Sequence, residues 1–492
     1  MFIVAIAFCA IVAWHLIVPG PFDWHLSIAP TWQGGLEALV VIGGLAGLQF
    51  IAAPRVRIAL SVLLAALFLR RHAVDAPLVL NVLYLEITVA LGALVLRATG
   101  AGAPRDGESW LRAFVLGLAL WSACAWTASA FGVGTTKELR WLTLVLALVA
   151  LPLARARPLT FWLARTGNAL APGDRAIAAA LAGWFCVLFA RTNVVTGFDP
   201  LWYGLRGDYV LTGETSAFHS LGLVSPVHYF PKLYEMYLQP LTGLGDFSPI
   251  SGVTITVAAM LGLAVARLVA RLGVDAPRAQ LLAAAACLTL PAVANPTLEP
   301  KPEILACLLV VLAGIAAIDW LRDRRWPALA WLFACALLAT QAKLIAIPFV
   351  GLLVVATAAH TALQRRPIAP ADPVDNRTAL VLLALATLVA AFVIARTWLL
   401  AGMPTVGPDP LVKLWRAFGL ELREPVGTLT WTYPQDWSDI PLLIVDWLFR
   451  PERLEHVIIS WTGNVWLWLV GFAALAGWHY ARRERLPRDA RT

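Results

Sequence analysis

Four short segments of this chain set side chains able to move protons or hold anions against long apolar runs. In TGFDPLWYGLRGDYV, Asp199 lies a few residues beyond the apolar run WFCVLFA. A carboxylate at such a boundary can take the proton of an attacking hydroxyl, work that contributes about 10² to 10⁴ in rate. The structural alternative for Asp199 is a solvated loop residue or a helix cap, because FDP precedes a stretch that can turn helical. The second segment, HYFPKLYE, packs His228, Tyr229, Lys232, Tyr234 and Glu235 around a proline. Lys232 and Glu235 are three apart, which puts them on one helix face; the alternative is an aromatic interfacial anchor with a snorkelling lysine. LEPKPEIL places Glu299, Lys301 and Glu303 at the mouth of an apolar run. Charges entering a bilayer are costly and usually serve a pathway or a site. Last, Lys343 stands alone in ATQAKLIAIP. It marks either a tight turn or an outward-facing cation suited to a phosphate.

The elements that must position these groups follow from composition. The 492 residues are 60% hydrophobic and 14% charged, with 22 Trp, and mean hydropathy is +0.75. That apolar content exceeds what a soluble domain needs. A bilayer core requires roughly 20 apolar residues per helical span, and about fourteen such windows recur, over 2–19, 36–53, 56–70, 76–97, 110–132, 139–154, 174–193, 249–271, 277–295, 302–320, 326–340, 344–360, 378–400 and 461–480. Runs such as LVLLALATLVAAFVIA are continuous rather than alternating, so the expected fold class is an all-α, polytopic transmembrane bundle and not a β-barrel. The first window begins MFIVAIAFCA with neither a basic leader nor a cleavage site, and is read as a membrane helix.

Arginine sets the expected topology, because short cytoplasmic loops retain positive charge. Arg97, Arg105 and Arg112 fall in one joint, Arg155, Arg157, Arg165 and Arg175 in another, then Arg267, Arg271 and Arg278, then Arg322, Arg324 and Arg325, and finally Arg365, Arg366 and Arg377. Fourteen spans put all of these, and both termini, on the cytoplasmic side, with Arg70 and Arg71 the exception. The four chemically suggestive segments and the stretch 401–460 then share the opposite face. The net charge of +8 is therefore topological arginine and gives no reason to expect a nucleic-acid partner. The six Cys, at 9, 124, 186, 287, 307 and 335, form no C-x-x-C pair and read as small apolar packing residues. Nucleotide-loop, zinc-protease, nucleophile-elbow and dinucleotide motifs are missing from the sequence. No internal repeat is visible.

In order along the chain stand the piece from Asp199 to Arg206, Tyr229 to Glu235 (a YxPxxxE-like element), Lys301 to Glu303 (KPE), Ala342 to Lys343, and Arg396 to Pro404 in RTWLLAGMP. This ordered set, across roughly 174–405, resembles the polyprenyl-phosphate-dependent glycosyltransferases of the GT-C superfamily. Gly204 stands where relatives often carry His, and Arg206 where Pro is usual. The resemblance implies a division into N-terminal helices of unassigned role (1–173), a catalytic module (174–405) with an outer loop at 194–248, and an outer polar segment with a last helix and basic tail (406–492). It implies Asp199 as the base on an acceptor hydroxyl, Glu299 or Glu303 as a second acid, and inversion at the sugar. Lys301, Lys343 and Arg396 become candidate ligands for the donor phosphate, with Lys232, Tyr229, Glu235, Arg206 and His228 beside them. The implied partners are a polyprenyl-phosphate sugar donor, a glycan, lipid or protein acceptor, and membrane lipids. No obligatory cofactor is implied, and a divalent cation is left open. The implied location is a bacterial inner membrane with the site on the periplasmic face.

The segment from Met403 to Ser460, containing WTYPQDWSD, suits either a small acceptor-binding subdomain or an interfacial amphipathic helix anchored by Trp431, Trp437 and Trp447. Two other function classes compete. A secondary transporter would place its charges at mid-span rather than at helix mouths. A polysaccharide polymerase or ligase would share the lipid-linked substrate but carry a large outer loop rich in Arg and His.

Overall fold

Long continuous runs rich in Leu and Ala, without the alternation of a half-buried strand, favour helix, and helix is what forms. The computed structural model describes residues 30–154, 170–193, 205–364, 367–407 and 409–427. In chain order the helices are α1 (Pro30–Leu48), α2 (Pro54–Arg71), α3 (Asp75–Thr99), α4 (Gly107–Ala130), α5 (Thr136–Ala154), α6 (Pro172–Phe189), α7 (Leu233–Leu238), α8 (Ser248–Arg271), α9 (Pro277–Thr289), α10 (Pro291–Thr297), α11 (Glu303–Asp323), α12 (Trp326–Ala342), α13 (Ala346–Gln364), α14 (Pro373–Ala401) and α15 (Asp409–Ala417). Among the described residues the sole β pairing is an isolated bridge between Arg325 and Ala369.

Seven of these helices, α3, α4, α6, α8, α11, α13 and α14, are long and apolar enough to cross a membrane, and the apolar stretch of α1 and the whole of α12 are shorter. By length and composition this is the bundle of a membrane-embedded protein. α2 and α5 reach the length, but Arg55, Arg57, Arg70 and Arg71 in one and Lys137, Glu138 and Arg140 in the other raise their charge. The expected span at 277–295 is not one helix. It divides into α9 and α10 because Leu290, held extended at φ −57° and ψ 129° ahead of Pro291, cannot continue the turn. At 13 residues α9 is about 20 Å long, short of a bilayer core. The windows at 2–19 and 461–480 lie outside the described residues.

The core is a ring. α4 packs on α3 and α14, α14 on α12, α12 on α11, and α11 on α8, which returns to α3 and α4. α3 and α4 meet almost backbone to backbone. A Cβ added to Gly92 would run into the Ala113 carbonyl, and one added to Gly117 into that of Thr88, the close approach that small residues permit between apolar helices. One continuous apolar core then runs from Tyr84 through Phe114, Trp121 and Trp126 to Val393, so α3 and α4 share it with the helices from α8 to α14.

Helix direction sorts the charges into two ends. At one end, Arg271 pairs with Glu108 at 2.8 Å and with Asp319 at 3.1 Å, Arg278 with Asp174 at 2.9 Å, and the Thr99 and Thr378 hydroxyls meet at 2.7 Å. The described arginines expected to share one side do lie at this end. Arg70 and Arg71 lie at the other, pairing with Asp75 (3.2 Å) and Glu37 (2.7 Å).

Candidate functional site

At the end opposite the arginine layer, the segment expected as an outer loop turns back into the bundle. Pro226–Tyr229 forms one 3₁₀ turn and Phe230, preceding Pro231, is extended. Lys232 then caps α7, whose six residues are all buried. Hydroxyl groups fix this re-entrant piece. Tyr237 meets Thr88 at 2.7 Å, Tyr84 donates to the Tyr237 carbonyl at 2.7 Å, and Tyr234 meets Thr254 at 2.6 Å, which in turn donates to the Glu299 carbonyl at 2.8 Å. Trp121 packs its ring edge-on to Tyr237. None of Tyr84, Thr88, Trp121 and Thr254 stands out in the sequence, since a single hydroxyl or indole inside an apolar run looks like ordinary helix packing.

Around α7 three cations from distant parts of the chain converge. Lys232 donates to Glu235 Oε1 at 3.0 Å, and the two side chains are 1% and 4% exposed. Lys343, whose φ of −156° ends α12, pairs closely with Glu303, the first residue of α11. Each sits where the helix dipole favours it, a carboxylate at an N-terminus and an ammonium at a C-terminus. Arg396, buried near the end of α14, donates from Nε to the Ala217 carbonyl at 2.9 Å and from Nη2 to the His228 carbonyl at 3.2 Å. α14 stops at Gly402, whose φ of +82° a side-chain-bearing residue would resist.

These groups feel one another. Burial pulls the Lys232 ammonium below the usual lysine range, Glu235 holds it up, and the charges of Arg396 and Lys343 press it down again. His228 is pushed down to about 4, first by burial and then by Lys232 and Arg396, so its ring is neutral at pH 7. Tyr229 is raised by burial against the pull of Arg396, and its hydroxyl donates to the Leu223 carbonyl at 2.6 Å.

Four polar atoms of this group are buried and make no hydrogen bond among the described residues: Glu235 Oε2, Glu303 Oε2, Arg396 Nη1 and His228 Nδ1. Buried polar groups are rarely left unpaired, and four in one coupled cluster amount to hydrogen-bonding capacity for a bound molecule. The charge count agrees, with Lys232, Lys343 and Arg396 set against Glu235 and Glu303. One positive charge in excess, partly withdrawn from water, suits an anion.

The other expected site residues are placed differently. The Glu299 and Lys301 side chains pair with each other at 2.8 Å, and the Glu299 main-chain carbonyl accepts from Thr254, which meets Tyr234 of α7. Arg206 is exposed, and no ion pair links it to the group among the described residues. Asp199 and Gly204 lie outside the described residues, as does the whole of the polar segment beyond 427. Among the described residues no three His, Cys, Asp or Glu side chains gather as metal ligands. Comparison with protein families, with characterised proteins and with solved structures gives no match.

Proposed function

We propose that this chain is an inverting, integral membrane glycosyltransferase that moves a sugar from a polyprenyl-phosphate donor to an acceptor on the extracytoplasmic face, in a fold of the GT-C kind with about fourteen spans. The observation that carries the reading is the convergence of Lys232, Lys343 and Arg396 with only two carboxylates at one end of an apolar helical bundle. A departing lipid phosphate gains negative charge as its bond to the sugar breaks, and fixed cations in a poorly hydrated cleft stabilise that charge without reorganising. Apolar helix faces around such a cleft suit a prenyl tail. The clustering of charge at helix ends rather than at mid-span favours transfer chemistry over a transport pathway. In this reading Asp199 takes the acceptor proton, the role its place in the resemblance implies.

The test uses purified full-length protein and lipid-phosphate sugar donors. Asp199→Asn abolishes transfer with an unchanged melting temperature, and wild-type turnover in that variant overturns the base assignment. Lys343→Ala weakens donor binding at least tenfold, about 1.4 kcal/mol. Unchanged donor affinity removes Lys343 from the phosphate site.

A further inference from the structure

The arginine-rich end holds a cavity that the proposed transfer does not use. It lies inside the ring of α4, α8, α11, α12 and α14 and measures about 210 Å³. Its inner wall is apolar, with Leu111, Val115, Leu312 and Ile315, and its mouth is charged. Part of that charge is already spent. Glu108 is held by Arg271 at 2.8 Å and by Arg112 at 3.0 Å, Asp319 is held by Arg271 at 3.1 Å, and Arg112 lies over the Trp331 ring.

Four further charges line the cavity: Arg267, Arg325, Asp323 and Asp375. Among the described residues none of them forms an ion pair, although the Arg267 charge acts on nearby Asp106. Two unpaired cations and two unpaired carboxylates fit no ligand of a single sign, because half of the mouth would repel it. A zwitterion satisfies both halves. Guanidinium groups match the oxygens of a phosphate, and carboxylates match an ammonium with its three donors. A volume of about 210 Å³ suits a compact head group seated at the charged mouth.

We propose that this cavity binds a phosphoethanolamine group, with phosphate toward Arg267 and Arg325 and ammonium toward Asp323 and Asp375. The group reaches the site either free or as the head of a phospholipid whose glycerol and chains stay outside the charged mouth. The site is independent of the transfer reaction.

The experiment follows the melting of the purified full chain in detergent with free O-phosphoethanolamine, with inorganic phosphate plus ethanolamine, and with micelles doped with phosphatidylethanolamine or phosphatidylglycerol. A saturable rise with O-phosphoethanolamine that the separate halves do not reproduce supports the site as one for the free compound. A rise with phosphatidylethanolamine but not phosphatidylglycerol supports the lipid source. No rise with either ethanolamine compound, or equal rises with both lipids and none with the free compound, overturns the proposal. The double variant Asp323→Asn, Asp375→Asn breaks no ion pair. It is expected to fold and to lose roughly tenfold in affinity for the ethanolamine compounds, and wild-type affinity in that variant also overturns the proposal. Arg271→Gln serves as the contrast, since it breaks the existing ion ladder and lowers melting with no ligand present.

Discussion

Lys232 and Glu235 form the most deeply buried ion pair among the described residues, and such a pair is stable only while both partners stay. Removing one leaves an uncompensated charge at a cost of about 3–5 kcal/mol, whereas replacing both with apolar groups is often neutral. Lys232→Met alone is therefore expected to lower the melting temperature sharply, and Lys232→Met with Glu235→Leu to recover most of it. A double variant no better than the single would show that the two charges act separately. His228 makes a pH-dependent contribution of definite sign. Its ordinary value of 6.5 falls to about 4 in the fold, so the folded protein holds the imidazole proton more weakly than the unfolded chain does. The stabilising contribution is complete above about pH 6.5 and is lost as the pH falls toward 4. Between those limits the melting temperature of the wild type should fall more than that of His228→Gln, and parallel falls would remove His228 as the source. At this scale the sequence was informative wherever charge stood out against apolar runs, as at Lys232, Glu235, Glu303 and Lys343. It could not show that Lys343 pairs with Glu303, 40 residues away, or that Tyr84 and Thr88 anchor α7, because both depend on how helices cross.

Between elements, the closest crossing is the one that sets the ring. Gly92 and Gly117 let α3 and α4 approach until each excludes a Cβ on the other, and this contact presents Tyr84, Thr88 and Trp121 to α7 at the candidate site. Gly92→Ala must push two backbones apart, an overpacking that costs about 1–3 kcal/mol or more, and the displacement should reach Tyr237 and reduce activity as well as stability. Gly43→Ala in α1 is the control, since a Cβ there meets nothing within 4 Å, and replacing a helical glycine gains up to about 1 kcal/mol. Melting curves of the two variants that moved together would contradict this account. Helix content was legible from apolar length, but boundaries were not always so. Pro291 is plain in the sequence, yet averaging hydropathy over 277–295 hid the break it forces. At α7 the spacing of Lys232 and Glu235 signals helix, but the burial of that helix is not legible, because its polar flanks make six buried residues look like part of an outer loop.

For the molecule as a whole, the charges gather at two ends. One carries the cation cluster around α7 and the other the arginine layer with its cavity, and between them run seven helices long and apolar enough to cross a membrane. Arginine retained in short loops predicts that the layer containing Arg97, Arg112, Arg267 and Arg271 faces the cytoplasm, which leaves the cluster of Lys232, Lys343 and Arg396 outside, where a lipid-linked donor and an extracytoplasmic acceptor would meet. Single cysteines test this directly once the six native ones are replaced by alanine. Ser220, in the loop ahead of the His228 turn, and Asp275, between α8 and α9, lie at opposite ends and are both exposed. A membrane-impermeant maleimide should label Ser220→Cys in intact cells and Asp275→Cys only after permeabilisation. The reverse pattern would place the cation cluster in the cytoplasm, among nucleotide-activated rather than lipid-linked sugars, and would overturn the donor assignment while leaving the bundle and both charged ends as described.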